Sequence, residues 1–518
     1  MKKNKVSNKS TFVLLFFLFL LFLKVDFRLQ TDIFCCSDDF DYYIHAETIA
    51  LDFDLEYSNQ LKGYENARFY RNNISAPIGF IGSGLLAAPF LLFGYLLDNL
   101  IQTSPFLNLK IYFYSISSIF YLIISMIFLI KAKNLIAPKF KNLDLIIIFL
   151  GSGISYYSFE RFSMTHTYEV FAITMICYYS LKILVNKNAV YKFDYLILSF
   201  YFFLSFNIRW TNYFVFFIPF YLAGLLNVNF KFKNLKFLLY NISFLFLTIF
   251  LNFKIYGIAT LNPNSVYSKG DLGQSIDIFK NFFNLLKSIF TIVFSQEFGI
   301  LYFSPVIFLG LVSLLYYLSI DIKKINNYLG LAIFGQVFAI VVIWQSTASS
   351  YGFRYLYCLI PLSVIIFVNV FENYQFSGKN ILLKFILYFS IFSLLSTIFF
   401  ETTSLTQLSL DEEINSFDNL VRYTQPNYLK GYIFSFFNLE SYLKIFVTSY
   451  LGLIIFNLIF KFIEINNFFE ILNKLGLDLS NEKVTNLLVQ YQEINLSYIF
   501  IVLLTVTIFT YMVNRMFQ

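Results

Sequence analysis

Apolar stretches long enough to be helices alternate with short polar connections along most of the chain. A helical run of about 18 apolar residues crosses roughly 30 Å of hydrocarbon and satisfies every backbone N–H and C=O within itself. The pattern predicts spans at about 11–25, 110–130, 143–159, 166–185, 191–207, 211–226, 236–254, 299–320, 327–346, 354–371, 381–400, 441–462 and 495–514, thirteen in all. One further apolar stretch, Pro77 to Leu97, is expected to be re-entrant or interfacial. Counting it as a crossing would turn Lys131, Lys133, Lys139 and Lys141 outward, against the bias of lysine toward the inside. Without it, that cluster, Lys182/Lys187/Lys192, Lys231/Lys233/Lys236, Lys323/Lys324 and Lys379/Lys384 all fall inside. Gly79, Gly82, Gly84, Pro89 and Gly94 would also make it a poor lipid-facing helix. The expected fold is an all-α polytopic membrane protein of about 13 transmembrane helices, amino end inside and carboxyl end outside.

This topology assigns residues 26–109 to a large, helical first outer loop in a transmembrane domain over 1–460. Shorter outer segments follow near 160–166, 207–211, 255–298, 345–354 and 401–440. Residues 461–518 hold an amphipathic cytoplasmic stretch at 463–494, expected along the membrane surface, and the last helix. Composition agrees: 58% of the 518 residues are hydrophobic, 70 are Phe, and 13% are charged, about half the usual share of a soluble domain. A soluble globule, a disordered chain and a nucleic-acid-binding domain are thereby excluded, since the net charge of +7 resides in lysines of the connections. Cys35, Cys36, Cys177 and Cys358 imply no disulfide framework: two are sequence neighbours and two lie in apolar spans. Met1-Lys2-Lys3-Asn4-Lys5 and the run Phe12 to Leu23 lack a following small-residue cleavage site, which predicts a retained first helix.

The densest chemistry is Ser37-Asp38-Asp39-Phe40-Asp41-Tyr42-Tyr43-Ile44-His45-Ala46-Glu47, just past the first helix. Its acids could simply cap a helix and complement its dipole. They could equally supply a general base: a carboxylate among aromatic neighbours can take a proton from an attacking hydroxyl while a second carboxylate orients it. Downstream come Asp52-Phe53-Asp54-Leu55, Arg68-Phe69-Tyr70-Arg71-Asn72 and Ser75-Ala76-Pro77-Ile78-Gly79.

That order resembles the first outer loop of the GT-C glycosyltransferases, particularly bacterial family 39 and arabinose-transferase-like members. Asp38 and Asp39 fit the family's acidic pair, Tyr42 or Tyr43 the following tyrosine, and Ala76-Pro77 the proline segment. Ser75-Ala76-Pro77 lacks the family's basic residue, which leaves that contact to Arg71 or without a counterpart. Further pieces are similar in the same order: Ser163-Met164-Thr165-His166 after an aromatic helix end, Asn207-Ile208-Arg209-Trp210-Thr211-Asn212, Phe294-Ser295-Gln296-Glu297 leading to Ser304-Pro305, and Trp344 with Tyr351-Gly352-Phe353-Arg354. The resemblance spans roughly residues 11–360.

The resemblance implies an inverting transfer from a polyprenyl-phosphate sugar, with Asp38 and Asp39 as catalytic residues and Tyr42, His45, Arg71, His166, Arg209, Glu297 and Arg354 as substrate contacts. Location leads to the same donor, because the outer face lacks nucleotide sugars and a transferase there needs a sugar carried across on lipid. Only 8 of the 38 basic residues are arginines, so Arg209 and Arg354 at outer helix ends suggest bidentate phosphate binding, though each could also snorkel to headgroups. His166 alone would be read as a hydrogen-bonded interfacial histidine, and Glu297 as a partner for Lys287. The acceptor would be a lipid, glycan or protein at the outer face of the inner (plasma) membrane. The spacing of His, Cys and acids implies no tightly bound metal or other cofactor, although the acid cluster has the chemistry to hold a loose divalent ion. Two rivals are a flippase or transporter of a lipid-linked saccharide, which would carry charges in mid-span, and a non-catalytic subunit of an envelope assembly complex.

Overall fold

The structure is a computed structural model that describes residues 3–23, 37–62, 70–71, 74–101, 108–185, 192–228, 235–261, 282–295, 299–320, 325–343, 351–375, 378–408, 436–437, 442, 445–474 and 482–517. Helix α1 (Lys3–Leu21) carries the first apolar run, and α2 (Ser37–Glu47), which follows it, continues into a π-helical turn, Thr48–Asp52. Among the described residues the only ladder is the two-residue pair β1 (Tyr70–Arg71) and β2 (Ile74–Ser75). Then come α3 (Ile81–Ile101) and α4 (Leu109–Ile136). The start of α4 is fixed locally: Asp98 accepts the N–H groups of Leu109 and Lys110, both at 2.7 Å, and Asn108 accepts that of Ile111 at 2.8 Å.

The span expected at 143–159 is two helices, α5 (Asn142–Leu150) and α6 (Ile154–Phe159), parted at Gly153, whose φ of 85° suits a glycine. Next are α7 (His166–Val185) and α8 (Lys192–Ile208), then a 3₁₀ run, Trp210–Phe217, that leads into α9 (Ile218–Leu225). They are followed by α10 (Leu235–Tyr256), α11 (Phe282–Phe294), α12 (Ile300–Phe303), α13 (Pro305–Ile320) and α14 (Ile325–Ile343). A second 3₁₀ run, Arg354–Leu359, leads into α15 (Ile360–Asn373), and α16 (Lys379–Leu408), α17 (Tyr450–Ile459), α18 (Ile465–Lys474), α19 (Glu482–Gln492) and α20 (Leu496–Arg515) complete the chain.

Seven helices are long and apolar enough to cross a membrane, and six shorter apolar helices accompany them among the described residues. The protein is thus a helical membrane protein. At its centre are α4, α7 and the Arg354–Asn373 unit, which are the most deeply buried of the seven.

The glycine-rich Pro77–Leu97 stretch is not broken: most of it lies in the continuous 21-residue α3. The glycines are tolerated because they face protein. Gly82 sits against the backbone of Asn207 and Ile208 at the end of α8, Gly84 against His45, and Gly94 against the backbone of Leu109 and Lys110 at the start of α4. Helix α3 has the length of a span, yet its first turn touches the end of α8 and its fourth the start of α4.

The carboxyl-terminal part packs against the first helix and the start of α4. Tyr450 N–H donates to Leu23 O at 3.0 Å, and the Tyr450 and Tyr498 rings pack on Tyr112 at 5.7 and 5.9 Å. The end of α1 and the starts of α4, α17 and α20 therefore share one level. At the opposite end, Lys9 Nζ donates to Phe517 O at 2.8 Å and the Phe12 and Phe517 rings meet edge to face at 5.7 Å. Residues 9 and 517 thus lie beside each other. Within the expected span 441–462 lies α17, which has ten residues and a rise of about 15 Å, half the hydrocarbon thickness. Nor does the amphipathic 463–494 stretch reserve its apolar face for lipid. Leu487, Leu488 and Tyr491 of α19 are buried, Tyr491 OH donates to Val447 O at 2.9 Å, and Asn457 Nδ2 donates to Tyr491 O at 2.7 Å.

Candidate functional site

Helix α2 presents two faces, each with a fixed partner. Asp39, Tyr43 and Glu47 recur every four residues and so form one stripe. Asp39 is fully buried; its Oδ2 accepts from Arg161 NH2 at 2.7 Å, and its backbone O accepts from Ser163 Oγ at 2.7 Å. Ser163 Oγ also shares a hydrogen bond with Tyr114 OH at 2.9 Å. Lower on the stripe, Tyr43 OH and Lys110 Nζ donate to Glu47 Oε1 at 2.8 and 2.9 Å. The stripe thereby joins α2 to the 160–166 turn and to the start of α4.

Asp41 and His45 form the second face, one turn apart. Gly79 N–H donates to Asp41 Oδ2 at 3.0 Å, and Gly79 O lies 2.8 Å from His45 Nε2. Because that oxygen can only accept, Nε2 carries the hydrogen, and Nδ1 accepts from Tyr57 OH at 2.8 Å. Tyr256 OH at the end of α10 donates to the same Gly79 oxygen at 3.1 Å. Burial lowers the His45 pKa to about 4, against the partly opposing hydrogen bond to Gly79.

A second cluster lies where the 3₁₀ run Arg354–Leu359 meets the start of α7 and the end of α8. Arg209 NH1 is 3.4 Å from Glu169 Oε2, and His166 Nδ1 is 3.6 Å from the same oxygen. The Arg209 guanidinium lies 4.5 Å from the centre of the Tyr355 ring, and Arg354 lies 5.1 Å from that same ring. Arg354 NH2 also donates to Tyr355 OH at 3.3 Å. His166 is walled by the rings of Tyr157, Tyr357 and Tyr355 at 4.7, 6.1 and 6.3 Å. Arg354 NH1 lies 3.9 Å from Met164 Sδ, and the neighbouring Ser163 donates to Asp39 O, so the 160–166 turn links both clusters.

No family model, no curated protein and no solved structure matches this chain. The site must therefore be read from its own geometry. Of the residues singled out in the sequence, Asp39, Tyr42, His45, His166, Arg209 and Arg354 come together at one end of the helices. The Asp38 and Arg71 side chains and all of Glu297 lie outside the described residues. His45, expected to touch substrate, is fully buried, with both ring nitrogens bonded to protein. Asp39 turns to Arg161 and Asp41 to Gly79. Among the described residues no group of three or more His, Cys, Asp or Glu is placed to hold a metal.

Three participants escaped the sequence reading: Arg161, Glu169 and Gly79. Arg161 had a usable signal, being one of only eight arginines and lying in an expected outer turn, the argument that selected Arg209 and Arg354. Glu169 falls one turn after His166 in a helix, a spacing that puts the two on one face. The role of Gly79 depends on contacts up to 177 residues away and has no local signature.

Proposed function

We propose that this protein is an integral-membrane glycosyltransferase of the inner (plasma) membrane that moves a sugar from a polyprenyl-phosphate donor to a lipid, glycan or protein acceptor at the outer face. The observation that carries this reading is the convergence of Arg209 and Arg354 on the single ring of Tyr355, beside the acid-bearing helix α2. Paired planar guanidiniums ordered by an aromatic face suit a phosphodiester, and Tyr355 is partly exposed at that wall. Glu169 holds Arg209 at 3.4 Å, longer than a good charge-assisted bond, which leaves the fork able to turn toward a phosphate.

In this reading the acceptor hydroxyl attacks the anomeric carbon as the bond from that carbon to the phosphate oxygen breaks. The polyprenyl phosphate departs with the bonding pair, held by the two arginines, and the configuration inverts. The hydroxyl proton passes to Asp38. Asp39 is a poor choice for that task, since its carboxylate has no exposed surface and is engaged by Arg161; it positions α2 instead. The accompanying topology has twelve crossings, the thirteen expected less 441–462, with residues 9 and 517 in the cytoplasm.

Reconstituted protein incubated with radiolabelled polyprenyl-phosphate hexoses and candidate acceptors tests the assignment. Label should move to an acceptor with release of one polyprenyl phosphate per sugar. Absence of transfer from every polyprenyl-phosphate hexose, with the protein folded, would overturn it.

A further inference from the structure

Glu169 is fully buried in the first turn of α7, where a carboxylate is stable only beside a partner. That partner is Arg209, whose NH1 lies 3.4 Å from Glu169 Oε2. The guanidiniums of Arg209 and Arg354 lie 4.5 and 5.1 Å from the centre of the Tyr355 ring, so one acid and two arginines are gathered at one tyrosine. His166 Nδ1 lies 3.6 Å from the same Glu169 oxygen. Enclosed by the rings of Tyr157, Tyr355 and Tyr357 and beside these guanidiniums, the imidazole sits there uncharged. Two positive charges and one negative leave the group with a single net positive charge. Arg161, on the neighbouring turn, adds nothing to that sum, because Asp39 pairs with it at 2.7 Å.

A transfer of the proposed kind changes the charge that this group meets. The donor is a phosphodiester with one negative charge. When the bond from the anomeric carbon to oxygen breaks, the bonding pair stays on the phosphate, and the spent carrier is a monoester with nearly two charges above pH 7. We propose that Glu169 is a specificity-determining residue of the Arg209–Tyr355–Arg354 wall: it holds the wall to one net charge, which retains the singly charged donor and loosens the doubly charged product. The inference rests on reading that wall as the donor-phosphate site. Without Glu169 the wall would be a bare pair of guanidiniums, which grips the more highly charged ligand harder. With it, the second charge of the product meets a carboxylate that is already bonded to Arg209 and hidden from water. The same selection disfavours a diphosphate-linked donor, which carries a second charge before any bond breaks.

Two ligands with the same tail isolate the charge: polyprenyl phosphate and its methyl ester, each measured for binding to the full chain in nanodiscs at pH 8. Wild-type protein should bind the methyl ester at least as tightly as the phosphate. Tighter binding of the phosphate would overturn the proposal, and this arm needs no variant to fold. Coulomb energy is proportional to ligand charge, so removing the Glu169 charge should change the logarithm of affinity about twice as much for the phosphate. Glu169→Gln should therefore tighten the methyl ester about threefold and the phosphate about tenfold, which makes the phosphate the better ligand. Charges elsewhere act alike on both forms of the protein, so that difference belongs to Glu169. An equal change for both ligands, or none, would overturn the proposal and leave the donor site standing. Glu169→Asp keeps the charge and should keep the wild-type order of affinities; the order of Glu169→Gln in that variant would show that shape sets the preference, against the proposal. A wild-type protein that binds neither ligand would remove the donor-site reading, and the selection with it.

Discussion

Successive residues of a helix point about 100° apart, so adjacent acids on α2 cannot serve one partner equally. Asp39 is committed to Arg161 inside the protein, and removing one member of a buried pair strands the other charge. Asp39→Asn and Arg161→Met should each lower folding stability by about 3–5 kcal/mol, read as a fall in melting temperature, while the double change Asp39→Leu/Arg161→Met should recover much of it. Unchanged melting in both single variants would show that the pair contributes little. Asp38→Asn should leave melting near wild type and cut turnover by a factor of roughly 10² to 10⁴, the usual worth of a positioned base. His45 adds a pH dependence. Its folded pKa of about 4 lies below the ordinary 6.5, so the unfolded chain binds the proton first. Its contribution is therefore complete above pH 6.5, declines as pH falls toward 4, and is gone below that, a total of roughly 3 kcal/mol. Unfolding midpoints between pH 4 and 7 should fall more steeply in wild type than in His45→Gln, whose Tyr57 and Gly79 partners remain; equal slopes would remove His45 as the source.

At the scale of elements, the 3₁₀ run Arg354–Leu359 brings an arginine and a tyrosine to the site in consecutive positions, with Gly352 at φ 62° allowing the turn before it. If Arg354 holds the donor phosphate, Arg354→Lys keeps the charge but loses the planar fork and its stacking on Tyr355. Donor KM should rise, kcat should fall as the leaving phosphate loses support, and Arg354→Ala should be worse on both counts. Wild-type values for both parameters in the lysine variant would return Arg354 to an interfacial role. Helix α3 illustrates why glycines in an apolar run need not mean a broken helix. Each marks a place where another backbone comes close: Gly82 where α8 ends, Gly94 where α4 begins. Periodicity cannot show which backbone that will be.

For the whole molecule, the contact of Lys9 with Phe517 sets the relation between the two ends of the chain. Single cysteines at Lys9 and Asn514, both exposed, should react with an impermeant thiol reagent from the same side of sealed vesicles. A cysteine at Phe462, which is 87% exposed between α17 and α18, should react from the other side. Labelling of positions 9 and 514 from opposite sides would restore an odd number of crossings.

Hydropathy by itself determined that this is a helical membrane protein, because a chain with 58% hydrophobic residues in repeated long runs can hide its backbone polar groups in lipid only as helices. The acid-rich opening of the first loop and the scarcity of arginine also pointed to residues that do converge, since charge near a membrane face is costly unless used. Only the tertiary structure decided that Asp39 is paired, that both His45 ring nitrogens are bonded to protein, that Arg161 and Glu169 belong to the clusters, and that the described part of 441–462 holds a helix of ten residues. These outcomes depend on which helix ends share a level. That is fixed by contacts such as Gly79 with Tyr256, Asp39 with Arg161 and Lys9 with Phe517, which join residues 177, 122 and 508 positions apart and leave no trace in any local pattern.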